Sequence, residues 1–324
     1  MGSKIPVFVL NGFLGSGKTT VLLKMIEQSR KKNKRVAVIL NELGTVNVET
    51  HLFQNHEVIE LLDGCICCTI QDDLRKTLEG LLIQHQKEKI DILLIEGTGV
   101  AHPLEILEVF SHETLENVFQ VESVIGVVDA SYFLDYLSIF SSSKEIRSLL
   151  KEQVRHSSII LLNKVDRIDD KMLHRIHKKM MSMKRTETPI VQTKYGDIEP
   201  KELWKRREDL SLRQTKKNSH EINTRSHSHP DTKHGPIKTV KLEPVPEVDK
   251  EVLLQWLHHL PKEVIRAKGF IRFTGESHPT HVQYANKRVR FTTVEQSNND
   301  RSVFIFIGKD LNKEMFETLQ KGFS

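Results

Sequence analysis

The sequence predicts an α/β fold, in which a doubly wound, mostly parallel β-sheet domain is followed by a smaller α+β domain. Six short runs in the N-terminal half are nearly continuous in apolar residues and alternate with helical patterns, which is typical of parallel strands buried on both faces. Beyond residue 237 the runs alternate apolar and polar residues, which favours a mostly antiparallel sheet. The six apolar runs are Val7–Leu10, Val36–Leu40, Val58–Leu62, Ile92–Ile95, Val124–Val128 and Ile159–Leu162.

Composition divides the chain into three parts. Residues 1–205 carry the apolar runs and a short last strand at Pro189–Thr193. Residues 206–236 are polar and contain histidines but no core pattern, so we interpret them as a linker. Residues 237–324 contain the alternating strands and end in a helical pattern over Leu311–Leu319. We therefore expect two domains joined by a linker.

The bulk properties favour a cytoplasmic protein with no membrane and no specific nucleic-acid partner. The chain has 324 residues, 38% of them apolar, and a net charge of +5 made from many residues of both signs. No apolar run approaches the length of a membrane span. All three cysteines lie within four residues, which suits metal or redox chemistry better than a disulfide framework.

The stretch from Gly12 to Thr20 follows the first apolar run and matches the phosphate-binding pattern G-x-x-x-x-G-K-[ST]. Its glycines, Gly12, Gly15 and Gly17, let backbone N–H groups turn toward a polyphosphate. Lys18 can then reach the terminal phosphates, and the Thr19 hydroxyl can hold Mg²⁺. A helix beginning at about Thr19 would direct its positive dipole end at the same anion.

The fourth apolar run ends in Glu96-Gly97-Thr98-Gly99. In a doubly wound sheet this acid lies at the edge where ligands bind. Glu96 is therefore our candidate for a water-mediated Mg²⁺ contact, and the Gly99 N–H our candidate for a γ-phosphate contact.

The sixth run ends in the N-K-x-D motif, Asn163-Lys164-Val165-Asp166. The Asp166 carboxylate can accept two hydrogen bonds from guanine, whereas adenine offers no such pair of donors. The Lys164 stem can lie against the base, and the Asn163 amide can either fix the loop or reach the guanine edge. Together with the phosphate loop, the motif favours GTP and opposes a P-loop kinase or ATPase.

The third run leads into a loop that contains Cys65, Cys67 and Cys68. Three sulfurs at this spacing suit a soft or borderline ion such as Zn²⁺, with a fourth position open. A reactive thiol cluster without metal is the alternative. After the second run, Glu42 could bind this metal, contact Mg²⁺ through water or remain a solvated acid.

Taken together, these motifs resemble the CobW family of metal-centre GTPases, and the C-terminal part is similar to the CobW C-terminal domain. The resemblance implies slow GTP hydrolysis with Mg²⁺, in which Lys18, Thr19 and Glu96 take part. It carries phosphate binding to the loop from Gly15 to Thr20, Ser16 included, and guanine recognition to Asn163, Lys164 and Asp166. The chain departs from the family at Thr45 and Asn47, so further carboxylate ligation in the loop after Glu42 is not expected. It also departs at Gly97, a change that would affect the hydrolysis rate or the switch geometry.

The resemblance also implies a metallochaperone that binds Zn²⁺, with Co²⁺ or Ni²⁺ as alternatives, at Cys65, Cys67 and Cys68. It would deliver the metal to a client metalloprotein in a nucleotide-dependent way, and a homodimer is a further partner that it allows. Two other functions stay open: a GTP-binding protein that stores or senses metal with negligible turnover, and cobalt insertion for cobalamin synthesis.

Overall fold

A computed structural model describes residues 4–40, 58–60, 70–139, 142–207, 237–261, 263–285, 288–293, 302–309 and 311–321. The chain divides into two compact units. The described residues up to 207 belong to the first unit and those from 237 to the second.

The first unit alternates strands with helices along most of its length. Its strands are β1 Ile5–Asn11, β2 Val36–Leu40, β3 Val58–Glu60, β4 Ile92–Glu96, β5 Phe119–Asp129, β6 Ile159–Asn163 and β7 Ile190–Thr193. Its helices are α1 Lys18–Lys31, α2 Ile70–Lys87, α3 Pro103–Val109, α4 Glu113–Glu116, α5 Phe133–Leu137, α6 Lys144–Arg155, α7 Asp170–Met181 and α8 Pro200–Leu203. Each predicted strand is therefore present within a few residues of its predicted bounds, except that β5 begins five residues earlier.

The seven strands form one sheet in the order β3-β2-β4-β1-β5-β6-β7. Every pairing in this sheet is parallel. β1 lies between β4 and β5, so the chain winds outward in both directions from the strand that precedes the phosphate loop. In such sheets ligands bind at the carboxyl ends of the strands, at the point where the winding reverses.

Both faces of the sheet are covered, which explains the apolar runs. Val7 and Val9 of β1 pack on one face in a cluster with α2 and α3. Phe8 and Leu10 point to the other face and pack with α1 and α8. Because successive side chains of a strand point to opposite faces, a strand with helices on both sides must be apolar at every position. The predicted doubly wound fold is confirmed.

The second unit contains a five-stranded sheet in the order β11-β10-β9-β12-β8, and all of its pairings are antiparallel. The strands are β8 Ile237–Leu242, β9 Val264–Ile271, β10 Thr280–Ala285, β11 Arg288–Thr293 and β12 Val303–Lys309. Helix α9, Lys250–His258, buries Leu253 and Leu257 in the same core as Phe304 and Phe306. The predicted smaller α+β domain is also confirmed.

The chain from Leu311 to Leu319 is not the continuous helix that the pattern predicts. It forms a 3₁₀ turn at Lys313–Phe316 and then a single helical turn, α10, at Glu317–Gln320. The Asn312 side chain accepts a hydrogen bond from the Met315 N–H at 3.0 Å, and the Phe316 ring stacks on Phe306 with 4.0 Å between centroids. This ring contact fixes Phe316 with a φ of −119°, outside the helical range.

No helix within the described ranges combines the length and the apolar character that crossing a membrane would need.

Candidate nucleotide-binding site

The loop between β1 and α1 has a backbone that requires glycine at two of its positions. Gly12 has a φ of 137° and Gly17 a φ of 106°, both in the region that side chains rarely adopt. A Cβ at Gly12 would overlap the Val127 carbonyl oxygen, and one at Gly17 would lie 2.5 Å from the Asn163 amide nitrogen. Backbone conformation and close approach therefore both exclude side chains here, as the sequence pattern predicts.

Lys18 is the first residue of α1, and its ammonium group lies inside the loop. The side chain is 6% exposed, and Nζ donates hydrogen bonds to the carbonyl oxygens of Gly12 at 3.0 Å and Phe13 at 3.4 Å. The loop thus surrounds a buried cation at the positive end of a helix. Of its neighbours, Ser16 is buried, and Thr20 is exposed at the start of α1.

Thr19 and Glu96 are brought together by the pairing of β1 with β4. Leu10, near the end of β1, lies opposite Glu96 at the end of β4. The Thr19 hydroxyl donates to Glu96 Oε1 at 3.0 Å. A hydroxyl and a carboxylate are oxygen ligands of the kind that Mg²⁺ prefers, so this donor set fits the ion.

The loop after β4 lies against the phosphate loop. A Cβ at Gly99 would overlap the Leu14 side chain and approach its backbone nitrogen to 2.6 Å. The Gly97 N–H donates to the Leu10 carbonyl at 2.9 Å. Gly99 is therefore held next to the loop that carries Lys18, at the place where we predict a γ-phosphate contact.

Asn163 joins three loops at this edge. Its Nδ2 donates to the Ser16 carbonyl at 2.9 Å, and its Oδ1 accepts from the Thr193 hydroxyl at 3.1 Å and the Gly196 N–H at 2.9 Å. The side chain is 2% exposed. Of the two roles considered for this amide, the contacts correspond to the first, which is fixing the loops.

Lys164 makes an ion pair that we did not predict. It has a left-handed φ of 63°, and its Nζ donates to the Gly15 carbonyl at 2.6 Å and to Asp129 Oδ2 at 2.5 Å. Asp129 ends β5 and also accepts hydrogen bonds from the N–H and hydroxyl of Ser131. The sequence did contain a signal for Asp129, because a carboxylate at the end of a buried parallel strand lies at the ligand-binding edge of the sheet. The predicted strand, however, stopped at Val128, one residue before it.

Asp166 lies in a 3₁₀ turn, Val165–Arg167, that follows β6, and its side chain is exposed. Beside this turn and the end of β7 there is an open cleft of about 650 Å³. The residues that line it are Lys24, Val165, Gln192, Thr193, Lys194, Tyr195 and Asp197. The cleft and the turn give a base room at the same edge of the sheet as the phosphate loop.

The four predicted ligands of the cargo metal, Glu42, Cys65, Cys67 and Cys68, lie outside the described residues. Within the part that the structure describes, no three His, Cys, Asp or Glu side chains form a group able to hold a metal ion. The described chain resumes at Ile70, where α2 begins.

Two acidic side chains, Glu105 and Glu108, lie on α3, the helix that follows the Gly99 loop. Burial raises the pKa of Glu105 above its ordinary value, and the neighbouring Glu108 adds to this effect, while His102 opposes it. Glu108 Oε2 accepts a hydrogen bond at 2.8 Å from the side chain of Gln71, in the first turn of α2. This bond links the start of α2 to the helix that follows Gly99.

Two family models match the chain. Residues 6–192 match the CobW/HypB/UreG nucleotide-binding domain, and residues 237–323 match the cobalamin synthesis protein cobW C-terminal domain. The chain belongs to the CobW/HypB/UreG family. The predicted family is therefore confirmed, and residues 6–192 are its nucleotide-binding domain.

Curated relatives carry related names. The chain is 32% identical over 206 residues to the zinc-regulated GTPase metalloprotein activator 1 of Dictyostelium discoideum, a match that covers 53% of this chain and 42% of that protein. It is 25% identical over 344 aligned positions to the zinc chaperone CobW of Pseudomonas aeruginosa, covering 96% and 89%. The chain thus spans less than half of the first relative.

A solved structure, the Zn(II)-bound YjiA GTPase from Escherichia coli, is 23% identical, with 98% of this chain and 99% of that chain covered and a TM-score of 0.47.

Proposed function

We propose that this CobW-family chain hydrolyses GTP and uses the nucleotide state to control the binding and delivery of Zn²⁺. The observation that carries the GTPase half is the hydrogen bond from Thr19 to Glu96 at 3.0 Å. It joins the last residue of the phosphate-binding pattern to the acid at the end of β4, so that two oxygen ligands lie beside a buried lysine.

Each residue of the site has a role in this proposal. The loop from Gly12 to Gly17, which includes Ser16, binds the phosphates through backbone N–H groups, with Thr20 beside it in α1. Lys18 neutralises the terminal phosphates. Thr19 and Glu96 would hold Mg²⁺, which when bound neutralises charge that develops on the transferred phosphate. Gly99 orients the γ-phosphate through its N–H.

Guanine specificity is assigned to the turn after β6. Asp166 is exposed there, with a cleft beside it, so its carboxylate is available to accept from the base. Asn163 and Lys164 support it by tying the turn to the phosphate loop, through Ser16 and Gly15. A base bound at Asp166 and phosphates bound at Lys18 then have a fixed separation.

The metal half of the proposal rests on donor chemistry. Thiolates prefer soft or borderline ions, and three of them with Glu42 as a fourth ligand would make a site for Zn²⁺ as cargo. The names of the relatives, a zinc-regulated GTPase and a zinc chaperone, support zinc over cobalt or nickel. The client is proposed to be an apo-metalloprotein with a zinc site of its own.

A short path through the described residues supports coupling between the two halves. Helix α2 begins two residues after Cys68, and Gln71 in its first turn bonds Glu108 of α3. Helix α3 in turn begins four residues after Gly99. A movement of the Gly99 loop on loss of the γ-phosphate would therefore reach the end of the cysteine segment through one helix pair.

The test is an anaerobic Zn²⁺ titration with Mg²⁺ and either a non-hydrolysable GTP analogue or GDP. We expect the zinc dissociation constant to differ between the two nucleotides by about 5-fold or more, the usual range of a coupling free energy. Cys67→Ser should lose the tight site in both states, and His112→Ser, which removes an exposed imidazole, should change neither. Equal affinities in the two states would refute the coupling.

A second measurement separates this proposal from its alternatives. Phosphate release from GTP should be detectable with zinc and a client present, whereas undetectable turnover would favour a storage or sensing protein. Competition of ATP against bound GTP should fail, because adenine lacks the donor pair for Asp166.

A further inference from the structure

We infer that Gln153 is a positioning residue for the nucleotide. It holds the loop after β4 in the conformation in which the Gly99 N–H can contact the γ-phosphate. This inference rests on the proposed function, since it concerns how GTP is distinguished from GDP at Gly99. Gln153 lies in the last turn of α6, is 2% exposed and belongs to none of the sequence motifs.

The first support is the pair of hydrogen bonds that its side chain makes. Nε2 donates to the carbonyl oxygens of Gly99 at 3.3 Å and Ala101 at 3.4 Å. Both acceptors belong to the loop between β4 and α3, and 52 or more residues of chain separate them from Gln153. Two carbonyls facing one amide require the nitrogen on that side, so the orientation of the carboxamide is fixed.

The second support is what lies on the opposite side of the loop. Gly99 is so close to Leu14 of the phosphate loop that even a Cβ would overlap it. The loop is therefore clamped between the phosphate loop and α6. In such an arrangement the side chain of Gln153, on the α6 side of the loop, sets how far the Gly99 N–H extends toward a phosphate.

The third support is that the main chain of Gln153 is bonded to Asn11, at the end of β1. Its main-chain carbonyl oxygen accepts from Asn11 Nδ2 at 3.4 Å and from the Ser157 hydroxyl at 2.6 Å. Asn11 is the last residue of β1 and immediately precedes Gly12. A single residue thus connects the start of the phosphate loop to the loop after β4.

The fourth support is an unused acceptor. Gln153 Oε1 is buried and accepts from no donor within the described ranges. A buried carbonyl without a partner is costly, so its retention needs a reason. A carboxamide that donates to two loop carbonyls can use this oxygen for a loop N–H once the loop rearranges, which a carboxylate or an apolar side chain could not do in the same way.

The test compares nucleotide affinities of Gln153→Met, which keeps the size of the side chain, with those of the full-length wild type. Fluorescent GDP and a non-hydrolysable GTP analogue are titrated with Mg²⁺. Gln153→Met removes two long hydrogen bonds, of 3.3 and 3.4 Å, which together are worth about one typical net hydrogen bond. We therefore expect affinity for the GTP analogue to fall about 10-fold while GDP affinity stays within about 2-fold. Gln153→Glu should lower the affinity for the GTP analogue further, because its carboxylate would face two carbonyl oxygens and repel them.

Val154→Ala is the matched control, since Val154 is the next residue of α6, is 1% exposed and makes a cavity when truncated. It should leave the ratio of the two affinities unchanged. Parallel loss of both nucleotides in Gln153→Met, or no change in either, would overturn the inference. Failure of zinc coupling in the wild type would be seen separately, because these titrations contain no zinc.

Discussion

The ion pair between Asp129 and Lys164 gives a stability prediction that can be worked from the structure. The two side chains are 7% and 21% exposed, and the charged atoms are 2.5 Å apart. Asp129→Asn keeps the shape and the hydrogen bonds to Ser131 but leaves the Lys164 ammonium without its counter-charge. Removing one partner of a buried pair costs about 3–5 kcal/mol.

We expect the lower end of this range, about 3 kcal/mol, because Lys164 retains some solvent and its bond to the Gly15 carbonyl. This corresponds to about a 100-fold change in the folding equilibrium. Urea denaturation followed by circular dichroism, with and without GDP, measures it. Lys164 also connects two loops of the nucleotide site, so GDP affinity should fall together with stability.

Two comparisons test the reasoning. Glu27→Gln breaks a pair with Lys31 in which both partners are more than half exposed, so solvent screens it and its loss should cost much less than Asp129→Asn. Adding Lys164→Met to Asp129→Asn removes the stranded charge and should recover about 1 kcal/mol or more. If Asp129→Asn costs no more than Glu27→Gln, burial does not govern this pair and our reasoning is wrong.

Two further predictions concern the backbone of the phosphate loop and His156, the residue that follows the last turn of α6. Gly17→Ala would force a Cβ to within 2.5 Å of the Asn163 amide at a φ of 106°, so we expect it to lose GDP binding and to lower the free energy of unfolding by about 1–3 kcal/mol, measured by the same urea denaturation. Gly80→Ala, in open space on α2, should instead raise the free energy of unfolding by about 0.5–1 kcal/mol. Burial lowers the pKa of His156, although Glu152 partly opposes this. The unfolded chain therefore binds more protons at this site, and the free energy of unfolding should fall as pH drops below about 6.5. His156→Gln should show a shallower decline, and identical pH profiles would contradict the assignment.

The sequence predicted the elements of both units because each depends on local spacing. Continuous apolar runs indicated strands covered on both faces, and β1 is buried in two separate clusters as a result. The pattern over Leu311–Leu319 was less informative, since a helical period there is overridden by the stacking of Phe316 on Phe306. The periodicity of apolar residues does not predict tertiary contacts of this kind.

The phosphate loop was predictable residue by residue, since its chemistry lies in one contiguous stretch whose glycines must adopt left-handed conformations. The adjoining roles of Thr19 and Glu96 depended on a further step, namely that β1 and β4 are neighbours. The strand order supplies this step. Conversely, the order β4-β1-β5 could not be read from a pattern that only says each strand is buried.

The sequence by itself determined which residues we predict to bind phosphate, guanine and metal, because those functions need particular side chains at particular spacings. Only the tertiary structure decided which residues hold the site in shape. Asp129 and Gln153 belong to no motif, and they lie 35 and 54 residues from the partners they contact at Lys164 and Gly99. Strand order and the packing of α6 bring these groups together, and a linear pattern carries no information about either.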